Sequence, residues 1–148
     1  MKLFILTTAL LFGLNAMAAT ADPSVNEKVL KTFNEVFTNA RNVQWSTTAE
    51  YSEASFSTGS VTSRAMFDNN GKLIRTIRYY KENNLPSNVR YEIKNEYRGK
   101  EIYGVTEVAT ATATIYHLII RDSKNIYKVV ADNNGNIAQT ARFKRGDI

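Results

Sequence analysis

The sequence has no cysteine. Disulfide stapling, on which many small secreted domains depend, is therefore excluded. Thiolate zinc sites, cysteine nucleophiles and a cysteine-borne lipid anchor are excluded with it. Histidine is nearly as scarce, and His117, in Ile115-Tyr116-His117-Leu118-Ile119, is the only one. One imidazole cannot build a multi-histidine metal site, and no Gly-x-Ser-x-Gly elbow offers it a nucleophile. His117 reads best as a strand residue on a polar face. Beyond the first segment no apolar run approaches the roughly 20 residues that cross a bilayer, so no stable membrane insertion is expected.

The first segment, MKLFILTTALLFGLNAMAA, has one cation, Lys2, an apolar run from Leu3 to Leu14, and small residues at Ala16-Met17-Ala18. It reads as a secretory signal peptide over residues 1–18, which predicts a periplasmic or secreted protein with a mature region over 19–148. Removing 18 of the 148 residues leaves 130. That suits one compact domain, or two small repeats sharing a core. Without Lys2 the chain holds 18 Lys and Arg against 14 acids, a mature net charge of +4. In an exported protein this mild excess favours acidic proteins or surfaces over nucleic acid as partners, although it also serves solubility alone.

The strongest internal signal is a repeat. Asp-Asn-Asn-Gly occurs at Asp68 to Gly71 and again at Asp132 to Gly135, 64 residues apart. Upstream of the first copy, Val29, Leu30, Phe33, Val36, Phe37 and Ala40 fall at steps of three and four, the stripe of an amphipathic helix. Ser24 and Glu27 have capping-box spacing, Pro23 suits a helix start, and the helix should end near Asn39 to Asn42. Val43 to Trp45, Tyr51 to Phe56, Val61 to Phe67 and Leu73 to Tyr80 then read as strands. The pattern restarts at Leu85-Pro86-Ser87, with Val89, Ile93 and Tyr97 at steps of four and Gly99 closing the helix. Strands follow at Ile102 to Val105, Thr106 to Ile120, Ile126 to Ala131 and Ile137 to Phe143. The expected fold is α+β: two tandem α-β4 repeats, about 22–81 and 85–144, each a helix on a four-stranded antiparallel meander.

The order of these motifs resembles the bacterial β-lactamase-inhibitor-like, PepSY-like family. The resemblance is carried by Asn42-Val43-Gln44-Trp45 after the first helix, Tyr51 and Phe56 on the next strand, both Asp-x-x-Gly hairpins, and Leu85-Pro86 before the second helix. It covers nearly the whole mature chain and implies an exported tandem α-β4 protein with little chemistry of its own. Gly104-Val105, where the first copy has Trp45, departs from perfect repetition.

The twin tetrapeptide could be a calcium loop, an acid pair or a turn. Counting from Asp68, the sixth and twelfth positions of an EF-hand would be Leu73 and Tyr79; counting from Asp132 they would be Ile137 and Phe143. Both lack the required glycine and the bidentate glutamate, so hairpin turns are expected. No catalytic residue, cofactor or metal is expected. Basic residues interleaved with Tyr79 and Tyr80 (Lys72, Arg75, Arg78, Lys81) could suit single strands, but export argues against nucleic acid, and Arg75 and Arg78 should face opposite ways. Thr110, Thr112 and Thr114 alternate with alanines, as on a strand that could pair at an edge or lie under the second helix. Trp45 suits a plug between helix and sheet. The eight tyrosines matter most, because a helix layer covers one sheet face and leaves the other open. The expected function is an exported, non-enzymatic protein-binding module of inhibitor-like kind, holding a cell-envelope protein on that face. Tyr51, Glu53, Arg64, Met66, Tyr80 and His117 are the candidate contacts. The alternative is a small-ligand-binding or sensor protein with a pocket between helix and sheet.

Overall fold

The computed structural model describes residues 24–146. The expected leader at 1–18 and the helix-start role of Pro23 lie outside the described residues. The chain runs α1 (Glu27–Val36), β1 (Arg41–Thr47), β2 (Tyr51–Thr58), β3 (Val61–Asp68) and β4 (Leu73–Tyr80). A short 3-10 turn (Glu82–Asn84) leads into α2 (Ser87–Glu96), β5 (Glu101–Thr110), β6 (Thr114–Arg121), β7 (Asn125–Asp132) and β8 (Ile137–Lys144). These are the two α-β4 units that the repeat implies.

The eight strands form one antiparallel sheet in chain order, β1 to β8. The units join where β4 pairs with β5, with Tyr80 opposite Val105, Ile77 opposite Val108 and Arg75 opposite Thr110. Register carries one face across this joint. Ala65 lies opposite Thr76, Thr76 opposite Ala109, and Tyr80 opposite Val105. Ala65 belongs to the core under α1 and Val105 to the core under α2, so both helices cover the same face.

The two cores solve the same packing problem differently. Under α1 the filling is aromatic: the Phe33 ring lies 5.1 Å from Trp45 and 5.2 Å from Phe56, both edge-on. Trp45 is thus the plug its position suggested. Under α2 it is largely aliphatic, with Val89 and Ile93 against Leu118, Ile120 and Val129. Large and small positions exchange between the copies: Phe33 matches Ile93, Ser52 matches Tyr116, and Phe67 matches Ala131. Fully burying a side chain such as Phe33 or Ile93 contributes about 1.5–3 kcal/mol in either arrangement.

The repeated tetrapeptide is a turn that anchors a helix. Asp68 Oδ1 accepts from the amides of Asn70 and Lys72 at 2.8 and 2.9 Å. Asp132 Oδ1 accepts from Asn134 and Asn136 at 2.8 and 3.0 Å. Gly71 and Gly135 sit at φ +83° and +82°, where a side chain is strained. The turn tips then meet the helix starts. Asn26 Nδ2 donates to the Asn69 carbonyl at 3.2 Å, and Asn88 Nδ2 donates to the Asn133 carbonyl at 2.8 Å.

Three local expectations are corrected. The N-cap of α1 is Asn26, whose Oδ1 accepts from the Lys28 amide at 2.8 Å, in place of a Ser24–Glu27 box. The helix stops at Val36, because Phe37 leaves helical geometry to fill the aromatic core. Thr110 to Thr114 is not a continuous strand. The Thr110 hydroxyl accepts from the amides of Thr112 and Ala113 and donates to the Ala113 carbonyl, which closes a hairpin between β5 and β6.

Candidate binding face

Alternation along each strand sends every second side chain away from the helices. Pairing then sets these outward residues in rows across the sheet. One row runs Ser57, Thr62, Tyr79, Thr106, His117 and Val130. A second runs Ser55, Arg64, Ile77, Val108, Ile115 and Asp132. The second row therefore sets an apolar strip of Ile77, Val108 and Ile115 at the middle of the uncovered face, beside Tyr79, Thr106 and His117 of the first. Seven strand spacings of about 4.8 Å and eight residues of about 3.3 Å give roughly 900 Å², about what one partner contributes to a stable protein interface.

A depression of this face lies in the second unit, where Gly104 leaves a gap in the pleat. Nothing lies within 4 Å of the place its Cβ would occupy. Around it opens a depression of about 520 Å³, lined among others by Tyr79, Tyr103, Ile119 and Val130, with Lys81, His117 and Lys128. Tyr103 is pushed outward by a bulge between Ile102 and Gly104. It is fixed there by cations: Lys81 Nζ lies 4.2 Å and Arg121 Cζ 3.8 Å from its ring centre. Lys81 Nζ also donates to the Tyr103 carbonyl at 2.6 Å.

Of the sequence candidates, Tyr51, Glu53, Arg64 and Met66 share the uncovered face on β2 and β3, and His117 stands on it across the unit joint. Glu53 is buried at 8% exposure beneath Arg64, whose Nε donates to its carboxylate at 2.9 Å; Arg64 is the exposed member of the pair. Tyr80 is a correction. It points to the helix side, is 5% exposed, and its hydroxyl donates to Glu107 at 2.5 Å. Burial, and then the hydrogen bond to that carboxylate, hold its phenol well above the usual tyrosine range. Tyr79, 39% exposed, takes its place on the uncovered face. The exchange has a physical cause: a bulge at Ile74 shifts the alternation of β4 by one residue. Tyr103, Ile119, Lys128 and Val130 were missed, and the bulge in β5 similarly hid Tyr103.

The helix side holds a second polar feature. Arg78 faces it, opposite to Arg75 as expected, and donates to both Glu107 oxygens at 3.2 and 3.3 Å. A groove of about 520 Å³ beside α1 is lined by Phe37, Ser63, Thr76 and Arg78. Among the described residues, no group of three or more His, Asp or Glu could hold a metal ion. Nor is any described helix long and apolar enough to cross a membrane.

No family model matches the chain, and no curated relative was found. Solved structures do match its fold. A BLIP-like protein from Bacteroides fragilis aligns with TM-score 0.60 at 15% identity, over 81% of this chain and 86% of that one. A candidate periplasmic protein from Bacteroides eggerthii aligns with TM-score 0.58 at 14% identity, over 81% and 88%. A DUF2874 family protein from Bacteroides ovatus aligns with TM-score 0.57 at 19% identity, over 82% and 89%. The chain has the BLIP-like α+β fold.

Proposed function

We propose that this chain is an exported, non-enzymatic binding module that holds a cell-envelope protein on the uncovered face of its sheet. The observation that carries the proposal is the face itself: eight strands wide, uncovered by either helix, with Tyr79 and Tyr103 standing exposed above an apolar centre. Aromatic residues of this kind dominate interface energetics. Tyr51, Arg64, Met66 and His117 complete the contact set, and Glu53 acts by holding Arg64. Tyr80 belongs to the structural Arg78–Glu107 network instead. The BLIP-like fold of the Bacteroides fragilis protein supports a binding role, and the candidate periplasmic neighbour supports export through a leader over residues 1–18.

Tagged mature protein incubated with native envelope extract is expected to recover a specific partner. Tyr79→Ala and Tyr51→Ala should each weaken the recovery, while Tyr91→Ala on the helix layer leaves it intact. Equal loss from Tyr91→Ala would overturn the placement.

A second reading rests on the Arg78 groove. Its half-exposed guanidinium, beside the Ser63 and Thr76 hydroxyls, suits a small carboxylate ligand. A melting temperature raised by such ligands and unaffected by any protein would favour it.

A further inference from the structure

The partner's chemistry can be read from the charges around the Gly104 depression. We infer that it receives an acidic segment of a protein partner, a loop or strand that carries Asp or Glu side chains beside apolar ones. This rests on the uncovered face being the binding face.

The residues that line the depression include three basic side chains, Lys81, His117 and Lys128, and no Asp or Glu. The nearest acids on the same face are already engaged. Glu53 is held by Arg64, Glu101 by Arg121, whose Nε donates to it at 2.6 Å, and Asp132 by its own turn, where the Asn134 and Asn136 amides and the Asn136 side chain donate to it. Among the described residues, Lys81, Lys128 and Arg75 form no direct ion pair; Glu101 acts on Lys81 only through space, and Lys128 and Arg75 keep their charge available on this face. The Lys81 ammonium spends one donor on the Tyr103 carbonyl and can offer others. Its position against the Tyr103 ring, together with that bond, limits its motion.

The floor decides between kinds of anion. A sulfated or carboxylated glycan would meet the cations but leave Ile119, Val130 and the Tyr79 and Tyr103 rings without apolar partners. A protein segment satisfies both. Its carboxylates would meet Lys81 and Lys128 on the rim while an apolar neighbour fills the gap over Gly104. Complementary charge of this kind governs partner choice and encounter rate, and the apolar floor holds the docked segment. The Gly104 position has its own consequence: any side chain there would rise into the space where the segment lies.

The test is selection of a random-peptide library on the purified mature chain, with recovered peptides mapped by amide chemical shifts. Enriched sequences are expected to carry net negative charge with apolar residues and to shift Gly104, Thr106, His117 and Lys128. The double variant K81E/K128E should lower their affinity by about tenfold or more, since rim and depression charges both reverse. Gly104→Leu should weaken them without altering the charge preference. Enriched neutral or basic peptides on the same amides would overturn the acidic partner and leave the uncovered-face reading standing. Shifts confined to the helix layer, or no peptide moving the uncovered face, would overturn both. A heparin oligosaccharide that binds the same residues more tightly than any peptide would overturn a protein segment as the occupant.

Discussion

Asn88 Nδ2 donates to the main-chain carbonyl of Asn133 at 2.8 Å, and Asn26 makes the same donation to Asn69 at 3.2 Å. Each bond ties the start of a helix to the tip of the hairpin that ends its own unit. The twin Asp-Asn-Asn-Gly turns therefore anchor the helix layer, which in turn leaves one sheet face covered and the other uncovered. Loss of this bond should cost about 1 kcal/mol in either Asn26→Ala or Asn88→Ala, the usual net worth of one such bond. Asn26→Ala should cost about 1 kcal/mol more, because Asn26 also caps α1. Urea titration of the three proteins checks both the values and their order.

The glycines of the two turns should differ in their tolerance. Both sit in the left-handed region, so alanine is strained by about 1 kcal/mol at either. At Gly71 the added carbon would also lie 2.7 Å from the Lys28 main-chain oxygen. At Gly135 it would meet the flexible Glu92 side chain at 2.9 Å. Gly71→Ala is expected to be the more destabilising by about 1 kcal/mol or more, read from the urea midpoints. Equal losses would mean that the α1 turn does not dock as closely as described.

Tyr79 and Tyr80 should separate stability from binding. Tyr80→Phe removes the hydroxyl that donates to buried Glu107 and should destabilise by about 1–2 kcal/mol without loss of partner affinity. Tyr79→Ala should leave the urea midpoint nearly unchanged and weaken the partner about tenfold or more. Calorimetric binding beside urea titration resolves the two effects.

The Asp122 turn should set part of the acid sensitivity. The amides of Lys124 and Asn125 donate to its carboxylate at 2.8 and 2.7 Å, and these bonds lower its pKa to about 2. A carboxylate depressed on folding stabilises above its unfolded pKa of about 3.8, and the increment disappears as pH falls through about 2. The melting-temperature gap between native protein and Asp122→Ala is thus expected to be widest above pH 4 and to narrow toward pH 2.

Calcium should leave the melting temperature unchanged. The Asp68 and Asp132 carboxylates accept from their own turn amides, and bonds from the Asn136 side chain and then its amide hold the Asp132 pKa below the ordinary aspartate range. A calcium-dependent rise would contradict the turn assignment.

The repeat, the helix stripes and the strand alternation were legible because each is a local period written in side-chain type. What escaped were features set by single inserted residues or by distant pairing. The bulge at Ile74 reversed the faces of Tyr79 and Tyr80, and no residue type marks that insertion. The Thr110 hydroxyl closed a hairpin without glycine, proline, asparagine or aspartate to announce it. The β4–β5 pairing that fuses two sheets into one is a long-range contact with no local signature. So the uncovered face was anticipated, whereas the depression at Gly104, beside the β5 bulge, was not.

Photo-crosslinking in living host cells tests the binding face most directly. A benzophenone amino acid at position 79 looks out from the uncovered face, and one at position 91 looks out from the helix layer. A discrete protein adduct from position 79, with none from position 91, is the expected result. The same adduct from position 91 with none from position 79 would contradict it.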